Sequence, residues 1–186
     1  MKPLISATAT LSAALLLGAC SGPQWMTTHH YGGIPSTFTH AASKGDVLTM
    51  VTGNPYPGHK SVLEKTVLGA MPGNHFGPPA RFTTAPAAAG LPKIRFVWAF
   101  DPPPALHNDD LCGKPPETAA RADLHTLHLT ALLCEGGQAQ SSVVASLPRP
   151  TTADDPALKS LVQSIMWELI PERDPFNDGC TLSSNC

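Results

Sequence analysis

The chain has 186 residues, enough for one domain, and its 12 lysines and arginines against 14 aspartates and glutamates give a formal net charge of −2 at pH 7. This slightly acidic balance argues against a nucleic-acid-binding protein, because phosphate contacts need a basic face. The 42% share of hydrophobic residues argues against wholesale disorder, whereas 15 glycines and 20 prolines predict many loops around a modest core.

The amino terminus has the pattern of a secretory signal peptide. Lys2 supplies a positive charge, and an uncharged, leucine-rich stretch follows over residues 4–17. That stretch is too short for a stable spanning helix, which needs about 20 apolar residues. It ends in a leucine, two small residues and a cysteine, Leu17-Gly18-Ala19-Cys20.

This ending resembles the lipobox of bacterial lipoproteins. The resemblance implies cleavage before Cys20, a diacylglycerol on its sulfur and, usually, acylation of the new amino group. Several acyl chains hold a protein firmly to a membrane, because each buried methylene contributes about 0.8 kcal/mol. Ser21 follows the cysteine, and the absence of aspartate at that position implies the periplasmic face of the outer membrane of a Gram-negative cell.

These features divide the chain into four predicted segments. Residues 1–19 are a signal peptide, and the polar residues 20–45 are a lipidated flexible tether. Residues 46–171 form an α+β domain, and residues 172–186 form a disulfide-bearing tail. No later segment approaches the length of a membrane span, so the lipid on Cys20 is expected to provide the membrane attachment.

The first half of the domain is expected to contain a strand and a helix. Residues 47–52 are rich in β-branched residues, which is typical of a buried strand. Apolar residues recur at helical spacing over residues 60–71, and Pro72-Gly73 ends that helix. Residues 78–92 are rich in alanine, proline and glycine and predict an irregular connection, with room for a short strand near residues 81–83.

The second half is expected to contain three strands and a helix. Large apolar residues alternate over residues 94–100, so one face of this strand should lie in the core. Residues 124–134 and 138–147 flank a Gly-Gly pair and predict a hairpin, since glycine tolerates the positive φ of tight turns. A helix is predicted over residues 156–169, with Asp155 as its N-cap.

The predicted order is therefore strand, helix, strand, strand, strand, helix. Two amphipathic helices need a shared apolar surface, and a sheet supplies it. We expect an α+β fold, a two-layer sandwich in which a mixed or antiparallel sheet of about four strands carries two helices on one face.

The five cysteines are expected to divide between lipid attachment and disulfide bonds. With Cys20 lipidated four remain, and an exported chain folds in an oxidising compartment. Four cysteines allow three connectivities. We favour Cys112–Cys134, which clips a loop to a strand, and Cys180–Cys186, which closes a small ring in the tail; free thiols are the alternative. A zinc site is disfavoured because no Cys-x-x-Cys pair occurs.

No catalytic or metal-binding pattern stands out, so we expect a non-catalytic protein without cofactors. His125 and His128 would point to opposite faces of a strand, and they could share a metal only on a helix. The carboxylate pair at residues 109–110 is explained by loop solvation. Trp167 falls just off the apolar stripe of its helix and is a candidate partner contact; a rim residue covering the sheet edge is the alternative.

An aromatic and proline-rich run with two nearby Leu-Cys pairs marks the C-terminal half of the chain: residues 94–104, Leu111-Cys112 and Leu133-Cys134. This pattern resembles a group of proteobacterial envelope lipoproteins, and the resemblance implies a location without implying an activity. The alternation of strands and helices is also similar, at the level of the fold, to small accessory lipoproteins of curli assembly and transport.

These observations predict a membrane-anchored periplasmic lipoprotein that binds an envelope protein partner or stabilises a complex. One alternative is a carrier of a small apolar or lipid ligand, held in a groove between helices and sheet. The other is a periplasmic hydrolase or metal-binding protein.

Overall fold

The computed structural model describes residues 25–114 and 125–175. The signal peptide, Cys20, Cys180 and Cys186 lie outside the described residues. The predictions of a lipid anchor and of the tail disulfide therefore remain predictions.

A six-stranded mixed sheet is the centre of the structure. In spatial order the strands are β1-β6-β5-β4-β2-β3; β2 pairs in parallel with β3 and β4, and all other pairs are antiparallel. The strands are β1 (Trp25–His30), β2 (Val47–Thr52), β3 (Phe82–Thr83), β4 (Ile94–Phe100), β5 (Thr126–Glu135) and β6 (Gln138–Pro148).

Four α-helices cover both faces of this sheet. They are α1 (Ile34–Lys44), α2 (Lys60–Ala70), α3 (Asn108–Gly113) and α4 (Pro156–Leu169), and a 3₁₀ turn lies at Pro86–Ala88. Side chains of α1, α2 and α4 form the main core with one face of the sheet. Side chains of α3 form a smaller cluster on the opposite face, and we call that side of the sheet the α3 face. None of the described helices is both long and apolar enough to cross a membrane.

The main core follows the period-two pattern of the strands. Phe96 and Trp98 of β4 are fully buried, and they belong to one cluster with Phe38 of α1, Leu63 of α2 and Leu161 of α4. Each such side chain contributes about 1.5–3 kcal/mol when it leaves water. Because α1, α2 and α4 all bury apolar side chains against the same face of the sheet, they form one helical layer on that face.

The prediction of a four-stranded, two-layer sandwich with two helices is wrong. The sheet has six strands, and helices lie on both of its faces. The strands 47–52 and 94–100 and the helix 156–169 occur with the bounds that the sequence predicts, and Asp155 Oδ1 accepts a hydrogen bond from the Ala157 N–H at 2.8 Å. A two-residue strand, β3, also forms within the predicted irregular connection.

The missing elements lie mainly in the predicted tether, so the expectation of a flexible segment over residues 20–45 is wrong for residues 25–44. This part contains β1 and α1. β1 is an edge strand with polar residues on both faces, so it lacks the alternation that marks a half-buried strand. In α1 the buried residues Ile34, Phe38 and Ala41 follow helical spacing, but only three apolar positions carry the signal.

Candidate functional site

A groove on the α3 face combines polar and apolar lining residues on one concave surface. It runs beside α3 between the loop that precedes this helix and the sheet strands β5 and β6. It has a polar half and an apolar half, which share Asn108. We refer to both halves together as the α3 groove.

The Cys112–Cys134 disulfide fixes the position of α3. It links the helix to β5, with a Cα–Cα separation of 5.6 Å. This is one of the two pairs that the sequence favours. Both cysteines are fully buried in the cluster of the α3 face, together with Val97, Leu111 and Leu132. Because a six-residue helix is not stable alone, the covalent link and this small cluster hold the wall of the groove.

Arg95 provides a second attachment between α3 and the sheet. Its Nη2 donates hydrogen bonds to the carbonyl oxygens of Cys112 and Gly136, the latter at 2.9 Å. Burial lowers the pKa of Arg95 from its usual value, because removal from water disfavours the charged form. The guanidinium therefore connects the end of α3 to the β5–β6 turn.

Two polar residues of α3 tie the helix to β6 and to the chain after β1. Asp109 Oδ1 accepts a hydrogen bond from the Ala139 N–H at 2.9 Å. Asn108 Nδ2 donates to Ser142 Oγ at 3.0 Å and to the Tyr31 hydroxyl at 3.3 Å. The side chain of Asn108 thus lies at the junction of three elements, where the two halves of the groove meet.

The polar half of the groove has a volume of about 660 Å³. Amide, carboxylate, imidazole and phenol groups dominate its lining, and the Tyr31 side chain is 56% exposed. These groups can donate and accept hydrogen bonds at the same surface. Its lining residues are Tyr31, His107, Asn108, Asp109, Gln138, Ala139 and Gln140.

The apolar half has a volume of about 250 Å³. Three consecutive prolines and two leucines form one wall, and the sheet forms the other. The prolines present a rigid apolar surface, because their rings fix the backbone. The lining residues are Pro102, Pro103, Pro104, Leu106, Asn108, Leu111, His128, Thr130 and Val144.

The titratable groups in the groove are dispersed. Asp109 is engaged by a backbone amide. His107 is the N-cap of α3, and its backbone N–H donates to Asp110 Oδ2 at 3.1 Å. Within the described parts of the chain, no group of three histidine, cysteine, aspartate or glutamate side chains is arranged to hold a metal ion. The arrangement present in the groove is therefore one of hydrogen-bonding and apolar contact surfaces.

The predicted partner contact, Trp167, lies far from this groove in the fold. It belongs to α4, on the opposite face of the sheet, and its side chain is 40% exposed. Its ring contacts that of Phe76 edge to face, with 4.9 Å between centroids. The structure therefore places Trp167 in an exposed aromatic pair, and its role in partner binding remains a prediction.

No sequence pattern marks most of the residues that line the groove. Asp109 and Asp110 are exposed, as the prediction of solvated carboxylates requires, but they lie in α3 and not in a loop. Asp109 accepts a hydrogen bond from a strand amide, and Asp110 accepts one from the backbone amide of His107, the N-cap of α3. Tyr31 belongs to residues 20–45, for which the sequence predicts a flexible tether. The short polar segment Asn108-Asp109-Asp110 before the buried Leu111-Cys112 was the available signal, since such residues favour helix starts.

Comparisons with known proteins identify no family. No protein-family model and no curated protein matches the chain. Among solved structures, the chain is similar to a variant of PelC from Paraburkholderia phytofirmans, which is described as a dodecamer. The TM-score is 0.42 and the sequence identity is 13%, over 79% of this chain and 99% of that chain.

Proposed function

We propose that the protein is a lipid-anchored envelope protein that binds a protein partner, without catalysis, through the α3 groove. The observation that carries this proposal is the groove itself, with a polar and an apolar half on a helix held by a disulfide. The membrane anchor and the outer-membrane location are inferred from the residues that end at Cys20. The Cys112–Cys134 disulfide agrees with folding in an oxidising compartment.

The chemistry of the groove favours a protein segment over a small apolar ligand. Small-molecule sites are mostly apolar and span about 300–1,000 Å³. Here the larger half is polar, and the apolar half is about 250 Å³. Protein interfaces combine an apolar centre with a polar rim and are enriched in aromatic residues such as tyrosine. An extended segment could place apolar side chains against the prolines of the apolar half. Its backbone could then hydrogen-bond to the side-chain amides of Asn108, Gln138 and Gln140 in the polar half.

The alternative of a carrier with its ligand between helices and sheet gains no support from the packing. In the described structure that interface is filled by side chains with no exposure to solvent, among them Phe38, Trp98 and Val162. An apolar ligand there would have to displace close-packed core residues.

Site-specific photocrosslinking in intact envelopes tests the proposal. A photoreactive residue replaces the exposed Gln138 in the full-length chain, and Lys65 on the opposite face serves as the control position. We expect a discrete adduct with one other envelope protein from position 138 and not from position 65. Adding Tyr31→Ala and Gln140→Lys should reduce this adduct at least several-fold, because both lie in the polar half.

Two results would contradict the proposal. One is the same set of adducts from positions 65 and 138, which would indicate unspecific proximity. The other is an adduct that persists at full yield in the Tyr31→Ala and Gln140→Lys background. For the chain with the photoreactive residue at position 138, with and without Tyr31→Ala and Gln140→Lys, the folded state is checked on purified full-length protein. The circular dichroism spectrum and the thermal unfolding midpoint provide this check.

A further inference from the structure

β1 is an edge strand whose outer side is open among the described residues. It pairs only with β6 in the described sheet, with Thr28 opposite Val143. The Tyr31 N–H donates to the Gln140 carbonyl, in continuation of this register. In an antiparallel pair, hydrogen-bonded and non-hydrogen-bonded residues alternate. The N–H and C=O groups of Met26, Thr28 and His30 must therefore point away from β6.

This edge lacks the features that usually prevent further pairing. Protected edges are short, or they carry lysine, proline or a bulge. The opposite edge of the sheet follows that rule, because β3 has two residues. β1 has six residues, WMTTHH, without lysine or proline, and its register against β6 is continuous. The outer side of β1 is thus a regular template for another strand.

The exposed aromatic side chains at the two ends of the β1 segment, Trp25 in β1 and Tyr31 directly after it, are self-complementary. Trp25 and Tyr31 are 53% and 56% exposed, the two most exposed large hydrophobic side chains of the described residues. The two residues are six positions apart, so in an extended chain their side chains point to the same face of the sheet. This is the α3 face, since Tyr31 lines the α3 groove. If β1 of a second copy pairs in antiparallel orientation with Thr28 opposite Thr28, Trp25 of each copy lies opposite Tyr31 of the other.

That register is also the one with the most hydrogen bonds. It places Thr28 opposite its own counterpart and Met26 opposite His30, so all three outward-facing residues of each strand are paired. A shift by two residues in either direction leaves one of them unpaired. The Trp25–Tyr31 pairs then occupy non-hydrogen-bonded positions, where cross-strand side chains approach most closely. Aromatic cross-strand pairs stabilise antiparallel sheets.

We propose that two copies of the chain associate through β1, in antiparallel register about Thr28, to form one continuous twelve-stranded sheet. The interface is isologous, as in most two-fold dimers. It places Trp25 of one copy next to Tyr31 of the other, at the polar end of the α3 groove. The second copy thereby extends the wall of each groove, whatever the groove binds.

Engineered cysteines test the register directly. In the full-length chain expressed in a Gram-negative envelope, Thr28→Cys places two thiols opposite each other, with Cα atoms about 5.5 Å apart, within the range of a disulfide. Thr27→Cys is the matched control, because its counterpart lies diagonally across the axis at about 7–8 Å. We expect a disulfide-linked homodimer from Thr28→Cys, at least five times more abundant than from Thr27→Cys. Co-expressed Thr27→Cys and His29→Cys chains should form a linked heterodimer.

Equal linkage at positions 27 and 28 would overturn the proposal, as would linkage of Thr28→Cys to a different protein. A lack of linkage at position 28 in membranes where the folded protein is present would also overturn it. Reduction of the sample before electrophoresis identifies the disulfide, and mass spectrometry of the linked peptides excludes pairing with the native cysteines.

A proline substitution provides a readout without new thiols. Thr28→Pro removes an outward-facing N–H and keeps the ladder between β1 and β6, because proline is tolerated on the open side of an edge strand. Thr28→Ala is the control, since it also removes the hydrogen bond from Thr28 Oγ1 to Glu168 Oε2. In detergent-solubilised full chain we expect the dimer to be lost with Thr28→Pro and kept with Thr28→Ala, by light scattering. A dimer that survives Thr28→Pro in a folded protein excludes β1 pairing.

Discussion

The buried Tyr56 is the described residue with the clearest electrostatic perturbation. Its side chain is 7% exposed and belongs to the main core. Desolvation by burial raises the pKa of Tyr56 to about 12, from 10.0; Arg149 lowers it, and Asp155 and Asp101 raise it further. The phenol is thus held neutral by an environment that disfavours the phenolate.

The pKa of Tyr56 predicts a loss of stability in base. Between pH 10 and 12 the unfolded chain loses the Tyr56 proton while the folded chain retains it. The free energy of unfolding should therefore be unaffected by this group below pH 10, and it should fall by roughly 2–3 kcal/mol up to pH 12. Urea unfolding of wild type and Tyr56→Phe across this range measures the effect. If the difference between the two proteins stays constant with pH, the raised pKa is wrong.

A buried ion pair joins the end of β4 to the chain after β6. Asp101 Oδ2 and Arg149 Nη2 are 2.8 Å apart, and their side chains are 1% and 11% exposed. Asp101 Oδ1 also accepts a hydrogen bond from the His128 N–H. The φ of Asp101 is 48°, a conformation that asparagine and aspartate tolerate better than most residues.

Asp101→Asn should therefore destabilise the protein by about 3 kcal/mol, because it breaks a buried ion pair without changing the size of the side chain. Asp46→Asn is the matched control. Its partner Arg81 is 85% exposed, and such surface pairs contribute about 0–1 kcal/mol. Chemical unfolding at pH 7 measures both differences, and equal losses from the two substitutions would contradict this assignment.

At the scale of elements, the sequence predicts the strands and helices whose buried side chains repeat with the period of the element. β4 and α4 are examples, since each carries a long apolar pattern with a clear end. β1 and α3 are not predictable in this way. β1 pairs through its backbone while its side chains remain polar, and α3 spans six residues held by Cys112 and Arg95. Because the α3 groove depends on these two elements, it could not be assembled from the sequence alone.

The helix α1 provides a test of the corrected architecture. Phe38 is fully buried, and its ring contacts His75 and Phe96 at 4.7 and 6.1 Å between centroids. Phe38→Ala should cost about 3–5 kcal/mol, as for large core deletions. His40→Ala on the exposed side of the same helix should change stability by less than about 0.5 kcal/mol. If both substitutions lower the free energy of unfolding by equally small amounts, α1 does not pack on the domain. Thermal and urea unfolding of both variants give the comparison.

At the scale of the whole molecule, the predicted fold has helices on one face of the sheet, whereas the observed fold has helices on both faces. The sequence indicated one covered sheet face, because both recognisable amphipathic helices have broad apolar stripes. The second face is covered by a short helix, prolines and a disulfide, which leave no periodic signal. Its cysteines were nevertheless informative, since the favoured pairing of Cys112 with Cys134 is present.

The proposed anchor makes a prediction for the full-length chain. In a Gram-negative cell the mature protein should begin at Cys20 and carry the mass of its acyl chains. Cys20→Ser should abolish both the acylation and the processing. Ser21→Asp, by resemblance to bacterial lipoproteins, should keep the acyl mass but shift the protein to the inner membrane. Intact-mass spectrometry and membrane fractionation provide the measurements, and an unacylated wild-type chain would remove the basis for the anchor.

The start of β1 at Trp25 restricts how far this protein could act from a bilayer. Four residues lie between Cys20 and Trp25, and each of the five Cα–Cα steps spans at most about 3.6 Å in an extended chain. A lipid on Cys20 would therefore keep Trp25, the first residue of β1, within about 18 Å of the point where the acyl chains enter the headgroups. Such a protein would sample a layer above the lipid surface that exceeds its own diameter by at most about 18 Å. It would meet its ligands by lateral diffusion in that layer, and a ligand standing deeper in the periplasm would have to come to it.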